Sequence, residues 1–67
     1  MNIHSTAIIE PGASLGENVT VGPFAYIAGN VQIGSGCTIG PHAVIQRFTS
    51  LGSGCRVHAG AVIGDYP

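Results

Sequence analysis

Aliphatic residues recur at every sixth position along this chain: Ile3, Ile9, Leu15, Val21, Ile27, Ile33, Ile39, Ile45, Leu51, Val57 and Ile63. Four positions after each stands a small residue: Ala7, Ala13, Val19, Ala25, Val31, Cys37, Ala43, Thr49, Cys55 and Ala61, with Pro67 closing the series. A period of six fits neither a helix nor a long alternating strand. It predicts a short strand and a turn, repeated without interruption, which is the mark of a solenoid. Side chains alternate across a strand, so the small residue and the aliphatic two places later share one face. Both are predicted to point inward, and the residue between them outward.

The turns carry their own pattern. Three places after an aliphatic come Gly12, Asn18, Asn30, Gly36, Gly54 and Gly60. Gly and Asn are the residues that tolerate positive φ. Pro11, Pro23 and Pro41 stand one place earlier, where a fixed φ helps to start a turn. Phe24, His42, Phe48 and Tyr66 occupy the same place without being Gly or Asn. Those corners are expected to use another turn type or to carry their rings outward. Three hexads make a triangular coil of 18 residues, so the chain holds about three and a half coils of an all-β, parallel solenoid, read as one domain over 1–67.

Sorting the outward residues by coil separates three columns. One reads Asn2, Thr20, Thr38, Arg56, and a second reads Ser14, Gln32, Ser50. The third reads Ile8, Tyr26, Val44, Val62 and is apolar throughout. An exposed apolar stripe usually marks an interface, so these four residues are the expected oligomer contact. The plainer reading is β-propensity at strand positions.

Composition narrows the partners. Arg47 and Arg56 are the only cationic side chains apart from histidine, and the net charge is −1. No basic patch exists for a phosphate backbone, which argues against nucleic-acid binding. No segment has the length of a membrane-spanning helix, and the N-terminus has no basic stretch followed by an apolar run. Two cysteines without such a leader do not make a disulfide framework, so a reducing, cytoplasmic setting is expected. At 67 residues the burial available to a lone chain is slim, and a homo-oligomer is expected.

The hexad also resembles the hexapeptide-repeat transferases. More narrowly, Ile3-His4-Ser5-Thr6-Ala7-Ile8-Ile9-Glu10, Gly12-Ala13-Ser14-Leu15-Gly16-Glu17-Asn18-Val19 and Val21-Gly22-Pro23-Phe24 resemble the opening of the acyl-carrier-protein-dependent UDP-N-acetylglucosamine O-acyltransferases. Ala61-Val62-Ile63-Gly64-Asp65-Tyr66-Pro67 is similar to the stretch leading into that family's substrate-contacting loop. The resemblance implies a left-handed parallel β-helix and a trimer. It implies acyl carrier protein and UDP-N-acetylglucosamine as partners of a full-length parent, whose reaction begins lipid A synthesis. It also implies that this chain is an N-terminal fragment, because the family's general-base histidine and main substrate contacts lie further on.

No residue here is therefore expected to be catalytic, to bind a cofactor or to ligate a metal. His4 and His58 follow inward aliphatics in one column, three coils apart, roughly 14 Å by strand spacing. His42 stands at a corner. The three-histidine grouping of the gamma-type carbonic anhydrases, metal-binding relatives of this fold, is not reproduced, and ordinary surface histidines are the simpler reading. Cys37 and Cys55 occupy the small inward position one coil apart and read as buried apolar residues, with a disulfide as the alternative under oxidation. Glu10, Glu17 and Asp65 form no acid–base pair. The rival readings are a stand-alone or self-assembling solenoid, stacked end to end, and a piece of another hexapeptide transferase. A flat Thr-x-Thr ladder of the ice-binding kind is missing, since Thr38 is followed by Ile39 and Gly40.

Overall fold

Each hexad forms one two-residue strand. The computed structural model describes residues 1–64. Along them run β1 (Asn2–Ile3), β2 (Ile8–Ile9), β3 (Ser14–Leu15), β4 (Thr20–Val21), β5 (Tyr26–Ile27) and β6 (Gln32–Ile33). They are followed by β7 (Thr38–Ile39), β8 (Val44–Ile45), β9 (Ser50–Leu51), β10 (Arg56–Val57) and β11 (Val62–Ile63). Asp65, the Tyr66 corner and the Pro67 small position lie outside the described residues.

Every strand pairs in parallel with the strand one coil on, as in Asn2↔Thr20, Ile8↔Tyr26 and Ser14↔Gln32. Three walls result: β1-β4-β7-β10, β2-β5-β8-β11 and β3-β6-β9. No strand has room for a ladder within its own coil, so the backbone is satisfied between coils. Thr20 donates its N–H to the Cys37 carbonyl at 3.0 Å and Gly22 to the Ile39 carbonyl at 2.8 Å. Corners run the other way: Gly36 donates back to the Glu17 carbonyl at 2.8 Å and Gly54 to the Ser35 carbonyl at 2.9 Å.

The inward aliphatics fill the prism. Val21, Ile27, Ile33, Ile39, Ile45 and Val57 are buried, beside the small residues Val19, Ala25, Val31, Cys37 and Ala43. Ile9, Leu15, Leu51 and Ile63 are half-buried, and Ile3 is 42% exposed. The gradient follows from stacking. A middle-coil aliphatic is covered by its counterparts on both sides and most end-coil aliphatics by only one, with Val57, last in its wall, buried all the same.

The close approach of coils sets the glycines after the aliphatics. A Cβ on Gly34 would sit 2.7 Å from the Gly52 carbonyl carbon and the Ser53 nitrogen, and one on Gly40 would sit 2.7 Å from the Ala59 nitrogen. All three are backbone atoms that cannot swing aside. The second wall tolerates a methyl at the equivalent place, where Ala28 is buried.

Of the two alternatives for the aromatic corners, another turn type or outward rings, the structure shows the second. Phe24 and His42 have φ 59° and Phe48 has φ 66°, the same left-handed conformation as Asn18 and Asn30 at 59°. The rings are instead carried outward, Phe24 59% and Phe48 75% exposed. Left-handed backbone costs an ordinary residue about 1–2 kcal/mol. Phe24 and His42 stack with centroids 5.2 Å apart, and an offset aromatic pair returns about 0.5–1.5 kcal/mol of that cost. The corner that does differ is Thr6, which is not left-handed. A β-branched residue tolerates that region poorly. Its hydroxyl oxygen takes over a backbone role by accepting the Phe24 N–H at 3.0 Å.

Candidate functional site

The second wall places the apolar column in register, Ile8↔Tyr26, Tyr26↔Val44 and Val62↔Val44. Ile8 and Val62 are 59% and 61% exposed, whereas Tyr26 and Val44 are half-buried. The inner two are flanked along the wall by apolar neighbours on both sides, and the outer two on one side. The stripe is thus less open at its middle than the alternation of side chains alone implies. The other two walls carry mostly polar outward residues, among them Thr20, Gln32 and Thr38, all exposed.

The histidines are exposed and separate. His4 is held by its own corner. Its Nδ1 accepts the Thr6 N–H at 3.2 Å and lies 2.9 Å from Thr6 Oγ1. Accepting from an amide leaves Nδ1 without a proton, so the proton of the neutral ring is on Nε2. The Thr6 oxygen that accepts the Phe24 N–H is the one that lies beside this nitrogen. That nitrogen is committed to structure and is not available as a base. His42 is stacked on Phe24. His58 stands three coils from His4 in the same column, as the register Asn2↔Thr20, Thr20↔Thr38, Arg56↔Thr38 shows.

Glu10 and Glu17 also take part in contacts between coils, Glu10 through its carboxylate and Glu17 through its backbone N–H. Glu10 accepts the Gly29 N–H of the next coil at 3.3 Å, and Glu17 offers its own N–H to Ser35 Oγ at 3.2 Å. Cys37 is buried and Cys55 half-buried, both as free thiols, and the Cys37 thiol points at the Gly52 carbonyl at 3.0 Å. Among the described residues no three His, Cys, Asp or Glu side chains gather as a metal site. None of the helices needed for a membrane crossing is found among them either. The side chains that chemistry could use are spread apart, and three of them, Glu10, His42 and Cys37, contact the neighbouring coil.

Residues 12–47 and 30–65 match the family described as bacterial transferase hexapeptide (six repeats), and the chain belongs to that family. Its fold is the left-handed parallel β-helix. Among solved structures it is similar to UDP-N-acetylglucosamine acyltransferase from Campylobacter jejuni. That match has a TM-score of 0.95 and 38% identity, over 98% of this chain and 26% of that one. The Arabidopsis UDP-N-acetylglucosamine acyltransferase is similar with a TM-score of 0.91 and 40% identity, over 94% of this chain and 22% of that one. In sequence, the acyl-[acyl-carrier-protein]–UDP-N-acetylglucosamine O-acyltransferase of a Sulfurovum species is 72% identical over 29 residues, 43% of this chain and 11% of that protein. The chain spans about a quarter of the solved relatives, and the matched segment about a tenth of the curated one.

Proposed function

We propose that this chain is the N-terminal scaffold of a UDP-N-acetylglucosamine O-acyltransferase, lacking the catalytic region and acting in lipid A synthesis in the cytoplasm. The observation that carries the reading is the superposition on the Campylobacter jejuni enzyme over 98% of the chain at 38% identity. In this reading acyl carrier protein and the sugar nucleotide are partners of the full-length enzyme, and residues 1–67 supply coils on which later coils stack. The isolated chain, incubated with an acyl carrier protein thioester and UDP-N-acetylglucosamine, is expected to give no acylated sugar. Turnover above that of a His4→Ala, His42→Ala, His58→Ala triple variant contradicts the reading.

The same proposal gives the apolar column a role as the lateral contact of a homotrimer, three prisms meeting along Ile8, Tyr26, Val44 and Val62. Two of these side chains are more than half exposed, and burying apolar area returns about 25 cal/mol per Å². Tyr26→Lys combined with Val44→Lys is expected to dissociate the trimer into weakly folded protomers. An oligomer of unchanged mass in sedimentation rules the lateral contact out.

A further inference from the structure

Exposed rings occupy two of the three corners of the prism. The corner between the first and second walls carries Phe24 and His42, both exposed and stacked with centroids 5.2 Å apart. The corner between the second and third walls carries Phe48, 75% exposed, with Arg47 exposed beside it. The corner between the third and first walls carries Asn18, Gly36 and Gly54, and no ring among the described residues. The two ringed corners are therefore the two borders of the apolar wall. Both face sideways, so coils stacked at either end of the prism leave them open. Phe24, His42 and Phe48 also hold left-handed backbone, at φ 59°, 59° and 66°, where Asn or Gly sits with less strain. At Phe24 and Phe48 a lone protomer is thus disfavoured twice, by the strain and by an apolar ring in water. Strain of this kind clusters where it serves a site.

We propose that the two borders are the complementary halves of the contact between copies: Phe48 and Arg47 of one copy seat on the Phe24–His42 stack of the next. The proposal rests on the homotrimer reading above and adds the residues that close it. In a ring of three each contact is heterologous, one border of a copy against the other border of its neighbour. With the prisms parallel to the ring axis, rotation leaves heights unchanged. Phe48 lies six residues past His42, a third of a coil, so it stands within about 1.6 Å of the level of His42 in the next copy. The Arg47 guanidinium supplies a cation and the Phe24–His42 stack a π surface, which attract each other. Two Arg47 borders would repel instead.

Phe24→Asn and Phe48→Asn test it, since Asn18 and Asn30 show that asparagine is at home in this corner conformation. Both variants are expected to fold by circular dichroism. In sedimentation over a concentration series, each is expected to associate about tenfold or more weakly than the wild type, as loss of a buried aromatic anchor does. Asn18→Gly, at the corner without rings, is expected to follow the wild type. Each of the two Phe variants keeps one intact border, and the intact borders are unlike. An equimolar mixture is therefore expected to form pairs at concentrations where either variant alone stays single. If a Phe variant unfolds, Arg47→Glu serves instead: it leaves every ring and corner in place and is expected to weaken association to a similar extent. Tyr26→Lys with Val44→Lys in the same series separates this proposal from the trimer reading it rests on. Dissociation by that pair, with undiminished association of Phe24→Asn and Phe48→Asn, overturns the ring pairing and leaves the column standing. A wild type that stays single at every concentration overturns both. A mixture that associates no better than either variant alone, or unweakened Arg47→Glu, overturns the ring pairing.

Discussion

Ile39→Ala is expected to lower the unfolding free energy by about 2–5 kcal/mol, a large share of the stability of a small domain. Ile39 is 1% exposed in a middle coil, so no solvent or flexible end can relax into the space its side chain leaves. Thr20, outward on the first wall, is exposed, and Thr20→Ala is expected to cost less than about 1 kcal/mol. Urea unfolding of the two variants checks the difference, and equal losses would contradict the division of each strand into an inward and an outward residue.

The second large effect depends on which coil a glycine occupies. Gly34→Ala drives a methyl to within 2.7 Å of backbone in the following coil. Forcing extra atoms into a packed site costs about 1–3 kcal/mol. Here the close atoms are backbone and not the far end of a flexible side chain, so the upper end of that range is expected. Gly52 holds the same hexad position one coil later, where a Cβ would meet nothing within 4 Å among the described residues and φ is not positive. Gly52→Ala is expected to be neutral or to stabilise by up to about 1 kcal/mol, because alanine has fewer unfolded conformations to lose. For a domain this small, 1 kcal/mol moves the melting temperature by about 4–8 °C, so thermal unfolding separates the two readily. A Gly34→Ala melting temperature at or above that of Gly52→Ala would contradict the axial contact between coils.

Much of this structure was legible in the sequence, because the hexad encodes a local choice and repeats it. Ile27, Ile39 and Ile45 are read as inward from spacing alone, and the three outward columns follow from counting by 18. What spacing could not supply came from stacking and from local exceptions. The aromatic corners looked like departures because propensity speaks against Phe24, His42 and Phe48 in left-handed backbone. The fold imposes that conformation on them, with the Phe24–His42 stack offsetting part of the cost at two of the three. Thr6 drew no notice, yet its hydroxyl stands in for a carbonyl and it fixes the tautomer of His4. A three-residue hydrogen-bond arrangement of that sort leaves no periodic trace.

The functional site is where counting by six yields least. The polar side chains at the corners have mainly structural partners: Glu10 holds Gly29, His4 holds Thr6, and His42 lies on Phe24. This is consistent with a segment whose contribution is to present a finished, stackable prism. The lateral column is the contact proposed above, and its middle members are already half covered by their neighbours along the wall.

The most direct test places the chain where the proposal says it works. Residues 1–64 would replace the coils of the Campylobacter jejuni enzyme on which they superpose, and the chimera would be assayed with an acyl carrier protein thioester and UDP-N-acetylglucosamine. A folded chimera whose acyl transfer lies within about tenfold of the parent, a difference of roughly 1.4 kcal/mol in barrier, is the predicted result. A chimera that does not fold, or folds and transfers nothing, would contradict the account.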